Sequence, residues 1–348
     1  MNATVSGLPR ALRVLLGPLT ALGLLLSVQG CSTSAAATTT MTPGPTPASA
    51  LQIYNGYVTT ERVALVNQDE LLALSLLTDS QYSITQAAFF AAGATGRPVT
   101  GAVYGKPTLY VPKLTTYPQW FMAVVPEHPA TGGAEQTEVL VFDKPDAQTE
   151  WALSGSSVLN QGAPALGIAV DSAGYATALA TSDPKPKLRP DIVGAMHATI
   201  ADDGPSSAAA AAVAPGPETT GFYQVNAALA RQAAAHHDAY TWALEGTSYP
   251  LFALRRTDGS ALVFYTMTLT AATEPAKLPP PHSTAKLPAI PVPSAYRPLL
   301  PADQAPIQHA LAADATLNYV ALDPAASSGS GRIQVIGSGG GPTYAHGS

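Results

Sequence analysis

Cys31 is the only cysteine among 348 residues. The chain can therefore form no internal disulfide, and whatever it folds into must stand on packed cores. Hydrophobic residues make up 46% of the sequence, which permits a sizeable core and argues against global disorder. Charged residues reach only 11%, against about 25% in an average soluble protein. The surface must then rely on Thr, Ser, Gln, Gly and Pro instead of ion pairs. A net charge of −6 without a basic stripe argues against a nucleic-acid partner.

The residues before Cys31 set its context. Arg10 and Arg13 precede an apolar run over 14–26, which closes on Ser27-Val28-Gln29-Gly30-Cys31. A charged start, a short apolar stretch and a small residue at the cleavage point describe a secretory signal peptide over 1–30. The run is too short for a transmembrane anchor, which needs about 18 apolar residues. Val28-Gln29-Gly30-Cys31 resembles a bacterial lipobox. That resemblance implies cleavage after Gly30, a diacylglycerol thioether on Cys31 and acylation (palmitate or similar) of the freed amine. Burying acyl chains contributes about 0.8 kcal/mol per CH₂, so one chain is marginal and two hold stably. The expected location is the extracytoplasmic face of the cell membrane, with membrane lipid bound through Cys31.

Residues 31–50 are Thr, Ala, Ser and Pro with almost no bulk, and read as a disordered tether. A first folded segment spans 51–182. Leu65, Leu72 and Leu76 give a helical stripe over 59–77, and Thr78 to Gln81 has capping-box spacing for a second helix. Short β-rich runs bounded by Pro and Gly follow at 108–113, 120–125 and 137–142. Residues 183–219 read as a Pro/Ala-rich connector. A second segment, 220–337, opens with a helix capped by Thr220 and carrying Val225, Leu229 and Ala233 at four-residue spacing. Strands at 249–256 and 260–271 meet at Asp258-Gly259, a strong hairpin signal. In the second of these, Val263, Tyr265, Met267 and Leu269 alternate with threonines, as in a half-buried antiparallel strand. Residues 338–348 read as a Gly-rich flexible tail.

The expected class is α+β: two consecutive helix-plus-antiparallel-sheet segments, similar to cystatin and nuclear-transport-factor-2-like (NTF2-like) architectures. Tyr117-Pro118-Gln119-Trp120-Phe121 and Tyr249-Pro250-Leu251-Phe252 hint at a duplication. The Trp-Ala-Leu words at Trp151 and Trp242 fall on opposite sides of that match and speak against it. Tyr117-Pro118-Gln119-Trp120-Phe121, Gly167-Ile168-Ala169-Val170-Asp171 running into Gly174-Tyr175-Ala176, and Tyr249-Pro250-Leu251-Phe252-Ala253-Leu254 leading through Asp258-Gly259 to Phe264-Tyr265 resemble a family of two-segment actinobacterial lipoproteins of uncharacterised function. The resemblance implies a fold and a location. It carries no catalytic residue.

The chemistry-bearing residues read weakly. His236-His237-Asp238 could supply a general base or metal ligands, but metal-binding histidines on one helix face sit at i, i+4. As residues ending the preceding helix they complement its dipole, and that reading is preferred. Asp143, Asp146 and Glu150 lack the spacing and the turn glycine of a calcium loop. No Gly-x-Ser-x-Gly elbow occurs. Arg255 and Arg256 point to opposite faces of a strand. Trp120, Phe121 and Trp151 are the candidate ligand-binding residues, as an aromatic platform. No catalytic, metal or cofactor-binding residue is assigned. The expected function is a non-catalytic envelope lipoprotein that binds a protein, glycan or small ligand. The alternative is an envelope enzyme using His or Asp in an NTF2-like pocket.

Overall fold

The computed structural model describes residues 43–129, 132–277, 287–301, 304, 306–329 and 331–348. The signal segment and Cys31 lie outside them. The first helix, α1 (Pro47–Asn67), starts earlier than the leucine stripe suggests. Thr46 and Ser49 form a reciprocal capping box, and Pro47 brings a preset φ to the first turn. Ala50 and Tyr54 are already buried, so the end of the expected tether belongs to the folded part. Gln68, in a left-handed conformation, breaks the expected long helix before α2 (Glu70–Ser75), which Asp69 caps. The third helix, α3 (Asp79–Thr95), ends at Gly96; Thr78 occupies its N-cap without a side-chain hydrogen bond.

Five strands follow: β1 (Ala102–Tyr104), β2 (Thr108–Pro112), β3 (Gln119–Pro129), β4 (Gln136–Lys144) and β5 (Ala152–Leu159). Both β1 and β2 pair with β3, after which β3, β4 and β5 form an antiparallel meander. A short β6 (Tyr175–Ala176) lies parallel to β2 at the sheet edge. The second half has helices α4 (Pro190–Asp203) and α5 (Phe222–Ala235), then β7 (Asp238–Gly246), β8 (Phe252–Arg255), β9 (Ala261–Pro275), β10 (Leu311–Asp323) and β11 (Gln334–Gly347). Its pairing repeats the first: β7 and β8 both join β9, and β9, β10 and β11 continue as a meander. The fold is α+β. One eleven-stranded sheet contains both halves, joined where β5 meets β11 through Leu159–Gly337 and Val158–Ser338.

Strand alternation sorts the core into three layers. Phe121, Ala123, Leu140 and Phe142 face α1, packing with Tyr54 and Tyr57. Trp120, Met122, Val139 and Val141 face the other way, where they meet Phe252, Leu254, Leu262, Phe264 and Val320 of the second half. Val263, Tyr265, Met267 and Tyr319 form the third layer, beneath α4. The sheet thus folds over, so that its two halves cover each other and each carries helices outside. Strand β9 is consequently buried on both faces along 261–267, more than the half-buried alternation implies.

Two sequence expectations need correcting. The stretch 183–219 is no mere connector: it holds α4, a 3₁₀ turn Ala208–Ala211 and a π-helical turn Pro217–Gly221, and it buries Val193, Ile200, Ala209 and Val213. Small residues there pack closely against the sheet, a use that composition does not separate from flexibility. The Gly-rich 338–348 is the core of β11. A Cβ at Gly337 would stand 2.8 Å from the Val158 carbonyl oxygen, and one at Gly339 would press on that of Ser156. Glycine is required here by close approach between strands, not by freedom of the chain.

Candidate functional site

The outer face of the second half presents β7, β9 and β10 to α5. Cross-strand partners share a face, which aligns Tyr240 with Thr273 and Leu311, and Trp242 with Ala271 and Ala313. Alanine at two of these positions leaves the sheet surface low beneath the helix. From α5, Val225, Leu229 and Ala233 point to the same space, as their four-residue spacing requires. The result is a cavity of about 600 Å³, closed on a further side by Pro291, Val292 and Tyr296. Val225 is 62% exposed and Leu229 39%, so the mouth runs along α5.

The corresponding space in the first half is filled. There Tyr54 and Tyr57 of α1 both set their rings edge-on against Phe142, at 6.4 and 5.3 Å. In the second half the helix offers smaller side chains, and space remains.

Polar groups in the cavity are few. The Tyr240 hydroxyl donates to Oδ1 of Asn226 at 2.7 Å, and the Asn226 amide donates to the Phe222 carbonyl at 3.1 Å. Burial pushes the Tyr240 phenol up to about 12, so it remains a donor at neutral pH. His236 and Asp238 also line the cavity. His236 caps α5, its backbone N–H returning to the Ala233 carbonyl and that of His237 to the Ala234 carbonyl, and His237 turns the chain with φ at 62°. The preferred reading of the pair as helix-end residues agrees with this geometry, but it does not anticipate that His236 and Asp238 line a cavity. The signal for that role is an amphipathic helix whose apolar stripe runs straight into His236-His237-Asp238-Ala239-Tyr240.

The aromatic platform does not form. Trp120 and Phe121 are adjacent in β3 and therefore enter different layers: Trp120 lies 5.2 Å from Phe252, whereas Phe121 stacks on Phe142 at 4.9 Å. Trp151 joins Phe121 at 5.4 Å. All three serve the interior. Arg255 pairs with Asp183 at 2.9 Å, and Arg256 holds the Leu166 carbonyl and Asp258, so both arginines fasten the 165–183 loop. Asp146 accepts from the backbone of Gln148 and Thr149, forming a closed turn. Among the described residues no three His, Cys, Asp or Glu side chains converge as metal ligands.

Buried ionisable groups occur elsewhere. Burial raises Glu61 to about 7 despite the Tyr57 hydroxyl donating to it at 2.8 Å, and Glu138 also reaches about 7 by burial, with Glu127 and Glu61 adding repulsion. Asp143 is raised to about 7 by burial and by neighbouring Asp79. None of these lines the α5 cavity. His197 of α4 is held between the Tyr265 hydroxyl, 2.9 Å from Nδ1, and the Glu218 carbonyl at Nε2. Burial drives its pKa down to about 4, which keeps the ring neutral.

The family model of a domain of unknown function, DUF8094, matches residues 41–347. The chain belongs to the DUF8094 family. The match covers nearly all of the folded part, including both halves of the DUF8094 sheet and the α5 cavity. No curated protein and no solved structure matches the chain. Among the described residues no helix is long and apolar enough to cross a membrane.

Proposed function

We propose that this DUF8094 chain is an exported lipoprotein, of the kind found in actinobacterial envelopes, and that its folded part is a non-catalytic binding module. Diacylglycerol on Cys31 would hold it at the extracytoplasmic face of the membrane. The α5 cavity would take a small, mainly apolar molecule. The observation that carries the binding reading is the cavity itself. Its volume of about 600 Å³ falls within the usual range of about 300–1,000 Å³ for ligand pockets, and its walls are mainly apolar with a few polar groups. The carboxyl groups raised towards neutrality stand elsewhere, which favours binding over the enzyme alternative.

The test is titration of the chain with N-phenyl-1-naphthylamine, a neutral apolar probe that brightens on leaving water. Saturable enhancement is expected, and Ala313→Phe, which fills the cavity floor, should abolish it while the far-ultraviolet dichroism is retained. Enhancement that persists in the filled variant would place the probe elsewhere and end this reading.

A further inference from the structure

The charge balance of the cavity narrows its ligand further, on the reading that the cavity is a binding site. No lysine or arginine lines it among the described residues. Tyr240 and Asn226 are paired, whereas Asp238, His236, Gln232 and Thr273 have no side-chain hydrogen bond among the described residues, and of these Asp238 alone is acidic. Tyr240 and Asn226 satisfy each other and the Phe222 carbonyl. Asp238, only 5% exposed, has neither a side-chain hydrogen bond nor an ion pair among the described residues. It stands two residues before Tyr240 in β7, so both side chains leave the strand on the same face, towards α5. Its cross-strand neighbour is Pro275, which has no N–H to offer.

The Asp238 oxygens are not among the fully buried atoms that lack a partner, so water in the cavity reaches them. A ligand that displaces this water without supplying a donor would leave the carboxyl group bare, which is costly. A protonated amine supplies both hydrogen bonds and the opposite charge. The rings of Phe222, Tyr240 and Tyr296 also line the cavity, and aromatic faces attract an ammonium group. A fatty-acid or phosphate head would meet a carboxyl group with no lysine or arginine among the described lining residues to balance it.

We propose that the cavity binds a cationic amphiphile: an apolar body lying between α5 and the Ala271–Ala313 floor, and a protonated amine at Asp238. The class is an alkyl or polycyclic amine, distinguished from a neutral or anionic lipid by its head group alone.

Three probes of equal chain length separate the possibilities: dodecylamine, dodecanol and dodecanoate, each below its micellar concentration, displacing N-phenyl-1-naphthylamine from the full chain. Dodecylamine should bind about tenfold or more tightly than dodecanol, with dodecanoate weakest. Asp238→Asn should bring dodecylamine down to the dodecanol value and leave dodecanol unchanged. Should that variant not fold, the wild-type ranking decides alone. Dodecanoate binding as tightly as dodecylamine would overturn the amine assignment while leaving the cavity reading intact, as would an amine preference that survives Asp238→Asn. Failure of all three to displace the probe would remove both.

Discussion

Gly155 of β5 lies directly against Phe264 of β9: a Cβ at Gly155 would stand 2.9 Å from two carbons of the ring. The same Cβ would come within 3.1 Å of the Asn318 amide nitrogen. The contact crosses from the first half of the sheet to the second, in the central layer, where neither backbone nor aromatic ring can easily retreat.

Gly155→Ala is therefore expected to destabilise the chain by about 1–3 kcal/mol, the usual cost of overpacking a filled core. Gly56, inside α1, has open space where a methyl group would stand, with nothing within 4 Å. Gly56→Ala should do the opposite and stabilise by roughly 0.5–1 kcal/mol. Thermal unfolding of the two variants, compared with the parent, gives the answer. Equal small shifts in the same direction would contradict the close approach.

A second expectation concerns pH. Glu61, Glu138, Asp143 and Asp323 are each raised to about 7, chiefly by burial. A carboxyl group whose folded pKa exceeds its unfolded value contributes stability that is complete below the unfolded value and lost as pH rises through the folded one. The melting temperature should accordingly be higher at pH 6 than at pH 8, and Glu138→Gln should flatten the difference. His197 acts in the reverse sense. Its pKa falls from 6.5 to about 4 on folding, so it removes stability only as pH drops below about 6.5. A melting temperature that climbs steadily from pH 6 to pH 8 would count against the buried acids.

His197→Leu keeps the volume but removes both hydrogen bonds. The Tyr265 hydroxyl and the Glu218 carbonyl would each be left buried without their partner, at about 1–3 kcal/mol apiece. A loss of that order is expected in denaturant titration, and the acid limb of the pH profile should shrink with it. An unchanged midpoint would show that the pair contributes nothing.

Cys31→Ser should abolish incorporation of a fatty-acid analogue, because only a thiol forms the thioether. Undiminished labelling of the variant would remove the lipoprotein reading and leave the cavity to be explained in a different setting.

Much of the fold is legible in local pattern. The Asp258-Gly259 turn between β8 and β9 and the alternation of Val263, Tyr265 and Met267 are short-range signals, and the structure has them at those positions. What cannot be read depends on distant partners. Nothing near Gly337 announces that β5 will lie beside it, so a glycine run forced by crowding looks the same as one that is merely loose. Ala208–Ala211 and α4 are hidden for a related reason: small residues packed against a sheet share their composition with a linker. The site is half visible. Val225, Leu229 and Ala233 form a clear stripe, but a stripe that faces a cavity has the same spacing as one that faces a core. Only the low floor at Ala271 and Ala313 distinguishes them, and those residues belong to other strands.

The seam between β5 and β11 has a consequence for how the chain matures. Because β11 follows every other described strand in sequence, the N-terminal half must wait with the β5 edge open until all the intervening elements, β6 to β10, have been made. An unpaired strand edge is a template for association with other chains. Loss of the last strand alone would leave two such edges, β5 and β10, on opposite sides of one gap. A sheet closed this way depends on the last of its described strands, and damage to β11 would be read first as clumping and only later as a missing function.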